Sequence, residues 1–124
     1  PYHLPHLEVP LTAARAVLFQ DAAVAPIAGP VCDVITLAKR DLRAGDTLDG
    51  IGGFTSYGVL ENAAVCQAEN LLPLGLSEGC RLKCAVGKDG PITYADVVLP
   101  PGRLSDKLRA EQNAYFSKTS IPGK

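Results

Sequence analysis

Two ten-residue segments of this chain align with each other without a gap at an offset of 44 residues. They are residues 40–49 and 84–93, and Lys39 and Lys83 precede them at the same offset. In each segment an apolar residue ends a strand, a polar or glycine-containing turn follows, and an apolar residue restarts the chain. Two such units in one small domain predict a pseudo-symmetric β module whose hairpins pack on each other. The alternative is that two unrelated hairpins share this simple pattern.

The remaining strands are predicted from β-branched and apolar residues bounded by turn residues. The clearest strand covers residues 31–38, between Pro30 and the charged residues 39–41. Further strands are predicted after the glycines at 54–58, at 80–86 and at 92–99. The leucines of residues 71–76 are predicted to form a loop that fills the core.

Helical spacing of apolar residues predicts short helices that flank the strands. The first covers residues 11–20, after an extended, proline-rich lead-in over residues 1–10, and a second lies within residues 61–70. A third runs from Ser105, a plausible N-cap, to about Phe116, with an apolar stripe that needs a partner surface. That stripe consists of Leu104, Leu108 and Tyr115. Residues 117–124 are predicted to be a frayed tail. The chain is therefore expected to be mainly β with short helices, flanked by an N-terminal and a C-terminal helix.

Composition excludes several functional classes. With 12 Lys and Arg against 13 Asp and Glu, the net charge of −1 attracts neither nucleic acid nor an anionic membrane. The sequence has no apolar run near the roughly 20 residues that span a bilayer, and no secretory pattern, so we expect a cytoplasmic protein. There is no Met at any position, which predicts that the chain is a piece of a longer polypeptide.

The four cysteines, which are Cys32, Cys66, Cys80 and Cys84, are expected to remain free thiols in a reducing compartment. The Cys80-x3-Cys84 spacing lacks the second ligand pair of a structural zinc site. On a strand, both sulfurs would lie on one face as small core thiols. His3 and His6 would share one ligand only on a helix, which Pro5 disfavours, so they are either exposed or part of a site completed by other residues.

No segment carries a recognisable catalytic motif, so no catalytic or metal-binding residue is predicted. Gly50-Ile51-Gly52-Gly53 resembles a phosphate loop in composition, but a strand rather than a helix is predicted to follow it. A glycine-permitted hairpin or bulge is the favoured interpretation.

Basic residues beside the two turns suggest one candidate binding site. Lys39, Arg40 and Arg43 of the first unit, with Arg81 and Lys83 of the second, would line an anion site if the two units face each other. The alternative is that they are solvated charges that discourage aggregation at a sheet edge.

Three segments resemble a SAF domain, in this order: residues 37–49 (LAKRDLRAGDTLD), 82–86 (LKCAV) and 91–97 (PITYADV). SAF domains have a β-clip fold and occur in type III antifreeze proteins, sialic acid synthases, sugar-acid dehydratases and flagellar P-ring chaperones. The resemblance covers residues 31–99. Lys88-Asp89-Gly90 departs from the Ala-Gly turn that is usual in the second unit.

With its flanks the chain also resembles the C-terminal region of bacterial homoserine-dehydrogenase-like NAD(P)-dependent oxidoreductases, one branch of which is a reductoisomerase of isoprenoid synthesis. The residues that carry this resemblance are Pro1–Leu4 with Glu8 and Pro10, residues 49–55 with Tyr57 and Gly58, residues 68–76 and residues 107–112. It implies that residues 1–25 end an upstream catalytic domain, that 26–101 form a SAF-like β-clip domain, and that 102–124 form a C-terminal helix and tail. The cofactor glycines and catalytic residues of the family have no counterpart in this chain.

The leading hypothesis is an accessory domain that contributes oligomer contacts or a wall of the active-site cleft in such an oxidoreductase. NAD(P) would bind the upstream Rossmann domain of the same polypeptide, and this chain would hold no cofactor. A homo-oligomer is expected, without nucleic-acid or membrane partners. The alternatives are a stand-alone sugar-acid or carbohydrate-binding module, in which Lys39, Arg40 and Arg43 hold an anionic group, and a purely structural oligomerisation domain.

Overall fold

The structure is a computed structural model that describes residues 5–22 and 29–118. Its helices and strands, in chain order, are α1 (Pro5–Phe19), β1 (Cys32–Ala38), β2 (Ser56–Asn62), α2 (Ala63–Ala68), β3 (Arg81–Leu82), β4 (Val97–Val98) and α3 (Leu104–Lys118). Single 3₁₀ turns lie at Leu74–Leu76 and Tyr94–Asp96. Within the described ranges helices hold more residues than strands, so the chain is a small mixed α/β protein. The expected N-terminal and C-terminal helices are both present.

β1 is the central strand. It pairs with β2 along its whole length in antiparallel register, from Cys32 opposite Asn62 to Ala38 opposite Ser56. Its other edge is covered by loop backbone, since Thr36 donates to the Leu72 carbonyl and accepts from the Ile92 amide, each at 2.9 Å. β3 and β4 form a second, two-residue antiparallel pair.

The two aligned turns pack against each other through backbone hydrogen bonds. Residues 44 positions apart make equivalent bonds, each to the other turn. Leu42 and Val86 exchange N–H···O bonds of 2.9 and 3.1 Å. Gly45 donates to Leu82, and Asp89 donates to Ala38, each at 2.8 Å. This arrangement confirms that the two units pack together with approximate twofold symmetry.

The main core lies between the two turns and the loop that follows α2. Its fully buried side chains come from both units and from that loop, as predicted for the leucines of residues 71–76: Leu42, Leu48, Leu72 and Ile92. A smaller cluster of Ile35, Cys66 and Leu71 lies under α2.

Several element boundaries differ from the sequence prediction. α1 begins at Pro5, because proline is tolerated at the first helical position, so residues 5–10 are helical although Pro10 lies inside the helix. Glu61 belongs to β2 and not to the following helix. The strand predicted at 92–99 is interrupted, since the Thr93 amide and hydroxyl both donate to Asp96 Oδ2, at 2.8 and 2.7 Å, and close a polar turn.

The third helix faces the body of the protein with a different side from the one predicted. Ser105 is not its N-cap, because the helix already begins at Leu104. The stripe of Leu104, Leu108 and Tyr115 stays 53–66% exposed. The less exposed positions are mainly polar: Arg103, Asp106, Arg109, Asn113 and Phe116.

His3, the boundary at residues 25 and 26, and most of the predicted tail lie outside the described residues. Residues 117 and 118 of that tail are helical. Within residues 5–22 and 29–118, no helix combines the length and apolarity needed to cross a bilayer.

Candidate functional site

The predicted anion-binding residues Lys39, Arg40 and Arg43 lie on the exposed surface of the first turn. The Lys39 ammonium donates to the Gly53 carbonyl at 3.0 Å, and Arg40 Nη1 makes a long contact of 3.4 Å with the Asp41 carbonyl. None of the three lines any cavity described below. The structure thus brings Lys39 to the glycine loop and leaves the two guanidinium groups facing solvent, so the anion site remains a prediction.

The basic residues of the second unit bind backbone carbonyls. Lys83 Nζ donates to Ala95 O at 3.0 Å, as its repeat partner Lys39 does to Gly53. Arg81 Nε donates to Gly45 O at 3.3 Å and so reaches across to the first turn. Arg81 thus joins the two units, whereas Lys83 and Lys39 each hold the turn that follows their own unit.

The glycine segment is a turn closed by Asp49. Its carboxylate accepts hydrogen bonds from the amides of Phe54, at 2.6 Å, and Thr55, at 3.1 Å, and from the Thr55 hydroxyl. The Thr55 hydroxyl and the Phe54 amide lower the pKa of Asp49 to about 2. A Cβ on Gly53 would lie 2.2 Å from this carboxyl group, which is why glycine is needed there. β2 follows the turn, so the prediction that a strand and not a helix follows the glycines is confirmed.

Arg103 fastens the start of α3 to the loop before β3. Its guanidinium donates to Asp106 Oδ2 at 2.7 Å, to the Glu78 carbonyl at 2.7 Å and to the Leu76 carbonyl at 3.0 Å. Its Nη2 also lies 3.8 Å from Cys80 Sγ. Because one planar group serves several fixed acceptors, Arg103 sets the position of the helix.

Arg109 lies at the centre of the cleft between α3 and the body. It forms an ion pair with Asp33 of β1, and its Nε is buried without a hydrogen-bond partner among the described residues. This pair was not predicted from the sequence. Its one signal was the polar positions 103, 106, 109 and 113, which recur at helical spacing opposite the apolar stripe.

Three cavities adjoin Arg109. The largest, about 460 Å³, also contacts Val34, Leu76 and Leu108. Cavities of about 310 and 230 Å³ share Asn70, Tyr94 and Asn113. Burial raises the pKa of the Tyr94 hydroxyl, and Asp33 neutralises the guanidinium. The Tyr94 hydroxyl and the side-chain amides of Asn70 and Asn113, beside an ion pair of no net charge, can hydrogen-bond a small polar molecule.

The four cysteines are free, as expected. Cys66 and Cys80 are buried, and burial raises the pKa of both thiols. The prediction that Cys84 is a core thiol is wrong, because β3 ends at Leu82 and the chain bends outward. The exposed Cys84 thiol contacts Asp96 Oδ1 at 3.3 Å, and this hydrogen bond raises its pKa. Within residues 5–22 and 29–118, no cluster of three or more His, Cys, Asp and Glu residues is arranged to hold a metal ion.

Comparison of the sequence with protein families and with curated proteins finds no match.

Proposed function

We propose that this chain is the C-terminal SAF-like β-clip domain of a cytoplasmic, NAD(P)-dependent oxidoreductase of the homoserine-dehydrogenase-like group. It contributes contacts between domains or subunits, or a wall of the active-site cleft, while the upstream domains supply the cofactor site and the chemistry. The paired turns support the proposal, since their backbone hydrogen bonds fall within residues 31–99, the range that the resemblance to a SAF domain covers.

The observation that carries the proposal is the exposed apolar surface of α1. Its five large apolar side chains outside the first turn are each 62–74% exposed: Val9, Leu11, Val17, Leu18 and Phe19. Soluble helices ordinarily bury such residues on one face, and large apolar patches mark interaction sites. The partner surface we propose is the upstream catalytic domain of the same polypeptide, because the resemblance implies that residues 1–25 end that domain.

Hydrogen exchange tests this assignment of α1. The full polypeptide that the gene encodes and the 124-residue chain are compared amide by amide. We expect the α1 amides to exchange at least ~10-fold more slowly in the full polypeptide, because docking raises the free energy of local opening. The α3 amides, which lie in a helix anchored by Arg103 within this chain, serve as the internal control. Equal α1 exchange in both proteins would contradict the proposal.

One observation favours the sugar-acid-binding alternative. Within residues 5–22 and 29–118, the guanidinium groups of Arg40 and Arg43 have no carboxylate partner, so both are available to an anion. Calorimetric titration with sugar phosphates tests it, with Arg40→Ala as the variant and Lys88→Ala, an exposed cation of the other turn, as the matched control. Micromolar binding that only Arg40→Ala abolishes would favour the binding module over the accessory domain.

A further inference from the structure

The outer edge of β2 carries unpaired backbone groups. On β1, Thr36 and Ala38 direct their N–H and C=O groups toward the loop backbone, so the alternate residues of β1 face β2. In the antiparallel register, Tyr57, Val59 and Glu61 therefore bond to β1. Gly58 and Leu60 point their amides and carbonyls the other way, where no backbone group of the described residues meets them.

The side chains around this edge are exposed and mainly apolar. Val34, Val59 and Leu60 are 42%, 41% and 66% exposed. Soluble proteins usually protect such an edge with proline, lysine or a bulge, and β2 contains none of these. Its one charge, Glu61, accepts a hydrogen bond of 2.7 Å from the Asn62 amide of its own strand.

We propose that a second copy of this chain adds its β2 to this edge, antiparallel, with the twofold axis passing through Val59. This inference deepens the oligomerisation part of the proposed function and rests on that part. In this register Gly58 of each copy lies opposite Leu60 of the other. The amides and carbonyls of these two residues then form four intermolecular hydrogen bonds and join two β1–β2 pairs into one four-stranded sheet.

The edge is complementary to itself, which favours a second copy over an unrelated strand. Leu60 lies opposite Gly58 of the second copy, where it meets the apolar side chains that cover this glycine: a Cβ on Gly58 would lie 2.5 Å from Val34 Cγ1 and 2.8 Å from Leu74 Cδ2. Tyr57 lies opposite Glu61, so the two Glu61 carboxylates never face each other. Val59 meets its own copy across the axis as a close, non-hydrogen-bonded pair.

The size of the contact predicts a weak dimer. One strand pair with its flanking side chains falls at the small end of specific interfaces, so we expect a dissociation constant on the order of 10 µM. Sedimentation equilibrium of the 124-residue chain across this concentration range measures it directly.

Charge substitutions at the axis test the register. Val59→Lys and Val59→Glu each place like charges opposite one another, so we expect each to weaken the dimer at least ~10-fold. An equimolar mixture of the two variants places Lys opposite Glu and restores association to within ~3-fold of the parent. Val98→Lys is the matched control, because Val98 of β4 is 54% exposed and lies in the other sheet. It leaves the dissociation constant unchanged.

Circular dichroism and a urea midpoint verify that each variant is folded. Leu60→Lys, whose side chain is exposed and whose amide does not bond to β1, provides a second disruption if Val59 variants unfold. A parent chain that stays monomeric to millimolar concentration would overturn the interface, and so would a mixture that associates no better than either variant alone. Because this experiment uses only the 124-residue chain, its failure is separate from a failure of the oxidoreductase assignment, which the full polypeptide tests.

Discussion

Gly45 and Asp89 occupy the same left-handed backbone position in the two paired turns, with φ of 93° and 62°. An L-residue costs ~1–2 kcal/mol more than glycine in this region. Alanine recovers ~0.4–1 kcal/mol, because it restricts the unfolded chain more than glycine does. A Cβ on Gly45 would come no closer than 3.6 Å to Arg81, so no steric clash adds to the difference. We therefore expect Gly45→Ala to lower the free energy of unfolding by about 1 kcal/mol.

Asp89→Gly makes the opposite change in the second turn. Asp89 also accepts a hydrogen bond of 2.9 Å from the Tyr57 hydroxyl, so the substitution is made in a Tyr57→Phe background, where that bond is absent from both compared proteins. There we expect Asp89→Gly to raise the free energy of unfolding by about 0.5 kcal/mol, since aspartate tolerates the left-handed region better than alanine does.

Urea unfolding measures both changes as shifts of midpoint at a common m value. In thermal unfolding, 1 kcal/mol corresponds to about 4 °C for a chain of this length. Gly75→Ala is the control, because Gly75 has no positive φ and a Cβ there meets nothing within 4 Å. If Gly45→Ala leaves the midpoint unchanged, or Asp89→Gly lowers it, the two turns are not conformationally equivalent.

Three further predictions concern single sites. The folded pKa of Asp49, about 2, lies below its ordinary value of 3.8, so the stability that Asp49 contributes is present above about pH 4 and is lost as pH falls toward about pH 2. Asp49→Asn should therefore flatten the dependence of Tm on pH over this window. An unchanged dependence would contradict the hydrogen-bonded turn. Arg103→Ala should lower the free energy of unfolding by about 2–3 kcal/mol in urea titrations, because it leaves backbone acceptors and Asp106 unpaired. The control Lys107→Ala should change the free energy of unfolding by less than about 0.5 kcal/mol. Equal effects of the two substitutions would show that Arg103 does not anchor the helix. Cys32 and Cys84 are exposed, whereas Cys66 and Cys80 are buried. Alkylation of the native chain followed by mass spectrometry should therefore label the two exposed cysteines well before the two buried ones. Early labelling of a buried cysteine would contradict the placement of the core.

The sequence was enough to predict structural features that depend on neighbouring residues, such as a strand or a turn. β1 follows from a run of β-branched residues, and the equivalence of the two turns follows from a gapless offset of 44 residues. Asp89 was the departure from the usual turn. It takes the backbone conformation of Gly45 nevertheless, because aspartate is one of the few residues that tolerate it.

Contacts between distant residues account for most of what the sequence did not predict. The orientation of α3 depends on Arg109 meeting Asp33, which lies 76 positions earlier, and on Arg103 meeting carbonyls of another loop. An apolar stripe predicts which side of a helix is buried only when hydrophobic burial decides the packing. Here guanidinium contacts decide it, and the stripe stays exposed. The free edge of β2 also required the strand register, which periodicity alone does not supply.

An accessory domain of an NAD(P)-dependent enzyme has no cofactor site of its own but belongs to a polypeptide that has one. Calorimetric titration of NADP into the 124-residue chain and into the full polypeptide that the gene encodes therefore tests the proposed function most directly. We expect micromolar binding by the full polypeptide and none by the chain alone. Binding of NADP by the 124-residue chain, or its absence in the full polypeptide, would contradict the proposal.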